Sequence, residues 1–365
     1  AGIGRGMASA ARGVGNLVGL VSDADVIKRF LREAKLAQES EGDLSDPVRT
    51  KGRKDVSYNK PYGPSAHPEQ DFTDFAIADR AMRTLEAWQG KPFFLAVGFF
   101  RPHTPYVSPK KYFEKYPKEQ IELVPDPAAD RASKPAVALS NTSVANYGMT
   151  EETQRTAKQA YLASMTFMDA QFGLVLAELK KQGLDKNTLV IFISDHGYNL
   201  GEHGLWQKRS LYEDSARVPF IIRDPDNKVA GQATKRVTEL LDLYPTVADL
   251  CGLQPDKRVQ GKSLRPLLEA PDRPWANVAY TQVDFGAATR DATFAGGKQK
   301  NAPARKIGRS VRTERFRYTE WNGGEAGVEL YDHDKDPKEL TNLAKDPAYA
   351  AFVTELKATL AKGTN

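Results

Sequence analysis

Cysteine is almost absent: Cys251 stands alone in 365 residues. That excludes internal disulfides and any four-cysteine zinc site, and it leaves the redox compartment open. Long apolar runs are missing as well. The longest, Phe93 to Phe100, has the length of a strand and falls far short of the roughly 18 to 20 residues a membrane span needs, so none is expected. Strong charge of one sign is also lacking, because 52 Lys and Arg against 47 Asp and Glu leave +5. This permits an anionic partner without calling for nucleic acid, and none is expected. The first 22 residues show no secretory apolar region and begin with Ala1, so the true N-terminus is expected upstream. What is present, 40% hydrophobic and 27% charged residues with 28 Gly and 22 Pro, excludes whole-chain disorder, collagen and coiled coil. The length allows two or three domain-sized units.

Up to about residue 70 the chain reads as long surface connections around one helix, Asp23 to Gln38. From Phe72, apolar or small positions Phe75, Ala78, Met82, Leu85 and Trp88 recur at helical period. The continuous run Phe93–Phe100 predicts a strand buried on both faces. A long helix follows, with Leu162, Met165, Phe172, Leu176 and Leu179 on one face and Gly183 at its C-terminal cap. Leu189–Ile193 and Val218–Ile222 predict two further strands, and Pro245–Leu250 a short helix. The alternation implies an α/β fold, a mostly parallel sheet flanked by helices, over residues 1–275. Short strands at Val278–Val283, Arg315–Trp321 and Val328–Tyr331, then a terminal helix, predict a smaller antiparallel α+β subdomain over 276–365.

Three of the five histidines lie in two polar clusters that follow apolar strands, where α/β folds place their active sites. In Arg101-Pro102-His103-Thr104-Pro105 two prolines hold the backbone on either side of an imidazole; a hydrogen-bonded loop histidine is the plainer reading. In Ser194-Asp195-His196-Gly197 an adjacent carboxylate and imidazole offer an oxygen and a nitrogen to one metal, although Asp and Gly are also ordinary turn residues. Glycines there and in Gly201-Glu202-His203-Gly204 permit tight turns and close approach of backbone to a ligand. Lys208 lies 13 residues beyond Asp195 and offers a point charge to an anion, or else a solvated surface amine.

These clusters resemble the sulfatase family of the alkaline phosphatase superfamily, most of all its iduronate-2-sulfatase-like members. The resemblance is carried by Gly98 through Pro105, by Asp195-His196-Gly197 through Gly201-Glu202-His203-Gly204, Trp206 and Lys208, and by Ala216-Arg217-Val218-Pro219. It resumes in Leu243-Tyr244-Pro245-Thr246 and in Val328-Glu329-Leu330-Tyr331-Asp332 with Asp336-Pro337 and Thr341-Asn342-Leu343. It implies that Asp195 and His196 are ligands of a divalent metal, calcium by family habit. It also implies that Lys208 and His103 contact the sulfate or the leaving oxygen, with Arg101 as a further substrate contact. Sulfatases take their nucleophile from Cys/Ser-x-Pro-x-Arg, converted to formylglycine, and two further metal ligands from an upstream Asp-Asp pair. Ser45-Asp46-Pro47-Val48-Arg49 fits the short pattern, but its surroundings do not continue the signature, and an ordinary turn accounts for it. Cys251 lacks the Pro-x-Arg and is expected to be a packed apolar residue. The simplest account is an absent N-terminal segment of roughly one hundred residues, removed or carried on a separate chain. Periplasmic or secreted location is family habit only.

Eight basic residues against one acid, Glu314, lie between Lys298 and Arg317. Facing a cleft they would favour a sulfated polysaccharide; a solvated face is the alternative. The resulting expectation is a sulfuric-ester hydrolase acting on a sulfated sugar. The competing readings are a phosphodiesterase or phosphonate-ester hydrolase of the same superfamily, an inactive binder of sulfated glycans, and a truncated product that folds poorly.

Overall fold

The structure, a computed structural model, describes residues 62–125, 128–140, 144–285 and 306–363. The expected helix at 23–38 and the serine motif at 45–49 lie outside these residues. In chain order the elements begin with β1 (Tyr62–Ser65), α1 (Thr73–Ala87), β2 (Tyr106–Pro109), α2 (Lys110–Phe113), α3 (Ala128–Ser133) and α4 (Glu151–Lys181). There follow β3 (Val190–Ile193), β4 (Asn199–Leu200), β5 (Trp206–Gln207), α5 (Glu213–Ala216), β6 (Phe220–Arg223), α6 (Leu243–Leu250) and α7 (Arg265–Glu269). The chain ends in β7 (Ala279–Asp284), β8 (Ile307–Arg312), β9 (Phe316–Trp321), β10 (Gly327–Asp332) and α8 (Ala350–Lys362).

Two compact units result, one built from the residues up to Leu123 together with Gly148–Thr188, the other from Val124–Tyr147 and Leu189 onward. In the first, β1 and β2 pair in parallel, and α4 packs on α1, α2 and both strands. Thr150 caps α4 by accepting the Thr153 N–H, and Gly183, at φ +69°, follows its end in the left-handed conformation expected of a cap. The middle of α4 meets the length and composition of a membrane span, yet in the structure it is the central packing helix of its unit. Its buried face differs in part from the expected one. Leu179 is buried as expected, together with Ala157, Ala160, Ala163, Ser164 and Phe167, whereas Met165 and Leu176 are exposed; the small side chains let the helix approach its neighbours closely.

Among the described residues the expected strand at 93–100 forms no ladder. The segment alternates between half-buried and exposed residues from Phe93 to Phe99. Val97 and Phe99 pack on Ala76 and Ile77 of α1 while Phe94 faces outward, so among the described residues one face is covered where a buried parallel strand needs two.

In the second unit β3 and β6 pair antiparallel, with Val190 opposite Arg223. A parallel return would require a helical crossover of about a dozen residues or more, and the intervening chain holds only the β4–β5 hairpin and the four-residue α5. Among the described residues the mostly parallel sheet is therefore not seen; the chain is α/β with small sheets. The antiparallel end of the chain matches expectation in type and gains a strand. β10, β9, β8 and β7 form one four-stranded antiparallel sheet. Leu356 and Leu360 of α8 pack against Val311, Tyr318 and Leu330 of that sheet. Cys251, expected inside, is exposed, because it is the residue that ends α6, ahead of Gly252 in the left-handed region.

Candidate active site

His103 sits in a loop pinned from beneath. Asp74, fully buried on the first turn of α1, accepts the backbone N–H of Phe100 at 2.5 Å and of Arg101 at 3.2 Å. Burial raises its pKa to about 6, with those two N–H bonds opposing the rise. Arg101 is 4% exposed and donates from Nε and Nη2 to the Val107 carbonyl, both at 3.1 Å. Its guanidinium closes the loop across its own ends, and burial lowers its pKa to about 9. The expected substrate contact is thus corrected to an internal brace. His103 itself is exposed, and its Nδ1 lies 2.7 Å from the Thr104 carbonyl. Because a carbonyl can only accept, Nδ1 is the donor in this contact.

In the other unit β3 ends at Ile193 and discharges into the Asp195–His196 pair. Asp195 is directed outward, its side chain 86% exposed, and one carboxylate oxygen, Oδ1, accepts the His196 N–H at 3.1 Å. His196 Nδ1 donates to the Gly197 carbonyl at 2.8 Å, so in the neutral ring Nε2 carries the lone pair. The remaining atoms, Asp195 Oδ2 and His196 Nε2, are 3.6 Å apart, a separation one cation can bridge. A carboxylate oxygen and a neutral imidazole suit a divalent ion. Gly197 is required for another reason. A Cβ there would lie 2.1 Å from the Asp214 carbonyl oxygen, because the Gly197 N–H donates to Ser215 and the Tyr198 N–H to Asp214. The backbone after the pair is therefore locked against α5.

Lys208 follows a tightly turned hairpin. Three non-glycine residues around it, His203, Gln207 and Arg209, have φ of +57°, +68° and +73°, each costing roughly 1 kcal/mol or more. Asn199, fully buried, donates from Nδ2 to the Gln207 carbonyl at 3.0 Å, and Arg209 Nη2 donates to the Asp284 carbonyl at 3.0 Å while its guanidinium lies over the Phe285 ring. Both neighbours of Lys208 are therefore tied down. His203, grouped by sequence with the active-site histidines, is instead buried at 3% exposure, with Nδ1 on Asp130 at 3.1 Å. Burial pushes the Asp130 carboxyl up, but hydrogen bonds from His203 and Lys134 outweigh it and hold the group below its usual range.

A second grouping of ligand-type side chains, Glu213, His333 and Glu339, has its ligand atoms within 4.8 Å of one another. Arginines already fill it: Arg317 donates to both carboxylates and Arg312 to Glu213. Two acids balanced by two guanidiniums leave no negative charge to attract a cation, so this is an ion-pair network. Three of the five described members of the basic stretch are spent in the same way: Arg312 and Arg317 enter this network and Arg315 pairs with Asp332. Asp74, Asp130 and Asn199 escaped the sequence reading; each acts on a partner fixed by the fold, 26 positions away in the case of Asp74 and Phe100.

The further motifs that carried the resemblance are structural. Thr246 is fully buried, its hydroxyl donating to the Asp242 carbonyl and accepting the Leu264 N–H. Glu329 accepts from Tyr212, Tyr331 and Trp321, and Asn342 bridges Leu330, Val328 and Ser133.

Residues 38–253 match the family model described as sulfatase, and residues 201–365 match that of the C-terminal region of N-sulphoglucosamine sulphohydrolase. A sulfatase of Formosa agariphila is 32% identical over 304 residues, covering 81% of this chain and 55% of that protein. Iduronate 2-sulfatase of Mus musculus is 32% identical over 364 residues, covering 80% of this chain and 65% of that protein. The chain thus spans between half and two thirds of the length of these curated relatives. Among solved structures, a phosphonate monoester hydrolase from Silicibacter pomeroyi superposes with a TM-score of 0.72 at 26% identity, over 94% of this chain and 69% of that one. With the family model matched over more than half of its length, the chain belongs to the sulfatase family.

Proposed function

We propose that the protein is a metal-dependent sulfuric-ester hydrolase acting on a sulfated sugar or polysaccharide. The observation that carries this is the Asp195–His196 pair: its two uncommitted ligand atoms stand 3.6 Å apart while Nδ1 is tied back to a carbonyl. The relatives' names, a sulfatase and an iduronate 2-sulfatase, support the substrate class. Residues 276–365 we take to be a subdomain carried by the core.

Asp195 Oδ2 and His196 Nε2 would hold the cation, calcium by family resemblance, which when bound supplies positive charge to the sulfate. The nucleophile, formylglycine by the same resemblance, would belong to a segment outside the described residues. Lys208, fixed from both sides by Gln207 and Arg209, contributes an ammonium that neutralises charge on the transferring sulfuryl group. His103, its Nδ1 held 2.7 Å from the Thr104 carbonyl, would by the same resemblance meet the sulfate or the departing sugar oxygen as a general acid.

A second reading, phosphonate-ester hydrolysis, is favoured by the Silicibacter structure. Rates on matched aryl sulfate and aryl phosphonate esters separate the two. The sulfatase reading expects the sulfate ester to be the better substrate, and faster turnover of the phosphonate would replace it with the second.

A further inference from the structure

The Asp130–His203 pair lies outside the proposed chemistry, yet charge has been buried to build it. Asp130 and Lys134 form an ion pair at 2.5 Å with side chains 1% and 0% exposed. Lys134 also donates to the Glu339 carbonyl at 2.7 Å and lies about 5 Å over the rings of Tyr212 and Tyr331. His203 completes the group: Nδ1 on Asp130, its ring 4.2 Å from that of Tyr212, and its carbonyl accepting from Arg131 Nη1 at 2.6 Å. Two consecutive turns of backbone are thereby fastened to α3 through one residue.

That residue is the tip of the hairpin that leads to Lys208. The Gly201 N–H donates to Leu205, the Gly204 N–H to Gly201 and the Leu205 N–H to Glu202, closing the turn around His203. β4 and β5 are two residues each, Asn199 opposite Gln207 and Leu200 opposite Trp206, so only two rungs join tip to base. A hairpin this short, with left-handed residues at 203, 207 and 209, does not hold its form alone. The anchor at the tip sets the course of the strand that ends one residue before Lys208.

We infer that Asp130 and His203 are positioning residues for Lys208, holding the 199–209 hairpin in the form that aims its ammonium. The inference rests on the proposed role of Lys208, and a double-mutant cycle separates the two.

In the full-length protein, turnover of an aryl sulfate and thermal melting are compared for Lys208→Ala, His203→Gln, Asp130→Asn and the His203→Gln/Lys208→Ala double variant. Lys208→Ala is expected to lower kcat by about 10²- to 10³-fold. His203→Gln and Asp130→Asn are expected to lower kcat by roughly 10-fold with KM nearly unchanged, and His203→Gln to cost less than about twofold once Lys208 is already alanine. His203→Gln, whose amide can still donate to Asp130, should retain more activity than His203→Ala. Equal loss from His203→Gln in both backgrounds, tracking a fall in folded protein, would overturn the inference while leaving Lys208 in its role. Full activity of Lys208→Ala would remove the functional assignment and the inference together. Where His203→Gln does not fold, Asp130→Asn in the same cycle gives the same decision.

Discussion

Glu339 offers a quantitative test of the network that joins α5 to the C-terminal sheet. It is 1% exposed and accepts from Arg317 Nε at 2.6 Å, His333 Nε2 at 2.9 Å and the Glu213 N–H at 2.8 Å. Burial alone would raise its pKa; Arg317 and His333 overcome that and hold it at about 2, from 4.5 in the free side chain. A carboxyl depressed in the folded state stabilises it fully above the unfolded value and loses that contribution as pH falls toward the folded one. The shift of about 2.5 units corresponds to about 3 kcal/mol at pH 7, about the same at pH 5, about 1.5 kcal/mol at pH 3 and under about 0.5 kcal/mol at pH 2. Glu339→Gln keeps the shape and one acceptor but removes the charge, leaving buried Arg317 with Glu213 alone. Urea unfolding followed by tryptophan fluorescence at pH 7, 5 and 3 should show the variant less stable by about 3 kcal/mol at the two higher values and by about half that at pH 3. A penalty that does not change between pH 7 and pH 3, or none at pH 7, would refute the charge argument.

Three further expectations follow from the site. Asp195→Ala should abolish binding of one divalent ion per chain in calorimetric titration with calcium; unchanged affinity would remove Asp195 from the ligand set. Gly197→Ala forces a Cβ to 2.1 Å from the Asp214 carbonyl, so it should destabilise the protein by roughly 2 kcal/mol or more, while a melting temperature equal to the parent's would show that the close approach is not required. Asp74→Ala deprives the Phe100 and Arg101 N–H groups of their buried acceptor. It should cost about 2 to 3 kcal/mol and speed amide exchange at 100–101, and exchange as slow as in the parent protein would contradict it.

Local chemistry made part of this molecule readable from sequence. Helical period located α1 to within a residue or two, and Gly183 marked the end of α4. Alternation and β-branched content found β7, β9 and β10. The same signals failed where partners decide the outcome. An apolar run at 93–100 reads as a doubly covered strand, but among the described residues Ala76 and Ile77 pack on one side of it, at Val97 and Phe99. Pairing direction is not written in β3 or β6; it depends on how the chain returns between them. β8 was hidden in a basic stretch, because Arg309 and Arg312 look like solvated charge until Gln282 and Glu213 are seen opposite them.

The candidate site divides in the same way. Asp195, His196, Lys208 and His103 are singled out by the family resemblance and by residue types suited to metal and anion contacts. The buried groups that fix the backbone beside them are not: Asp74, Asp130 and Asn199 are common residue types acting across folded distance. Arg101 and His203 stand in the same motifs, yet both are buried, one on the Val107 carbonyl and the other on Asp130. Alternation and spacing measure such burial only indirectly.

The most direct test of the central claim is release of inorganic sulfate from a sulfated sugar by the protein from its native source, before chelation, after it, and after a divalent cation is restored, beside the Asp195→Ala variant. A sulfatase built on the Asp195–His196 pair predicts release that chelation stops and the cation restores, and little release by the variant under any condition. Sulfate release indifferent to chelation and to Asp195, or no release beside rapid cleavage of a phosphonate ester, would contradict it.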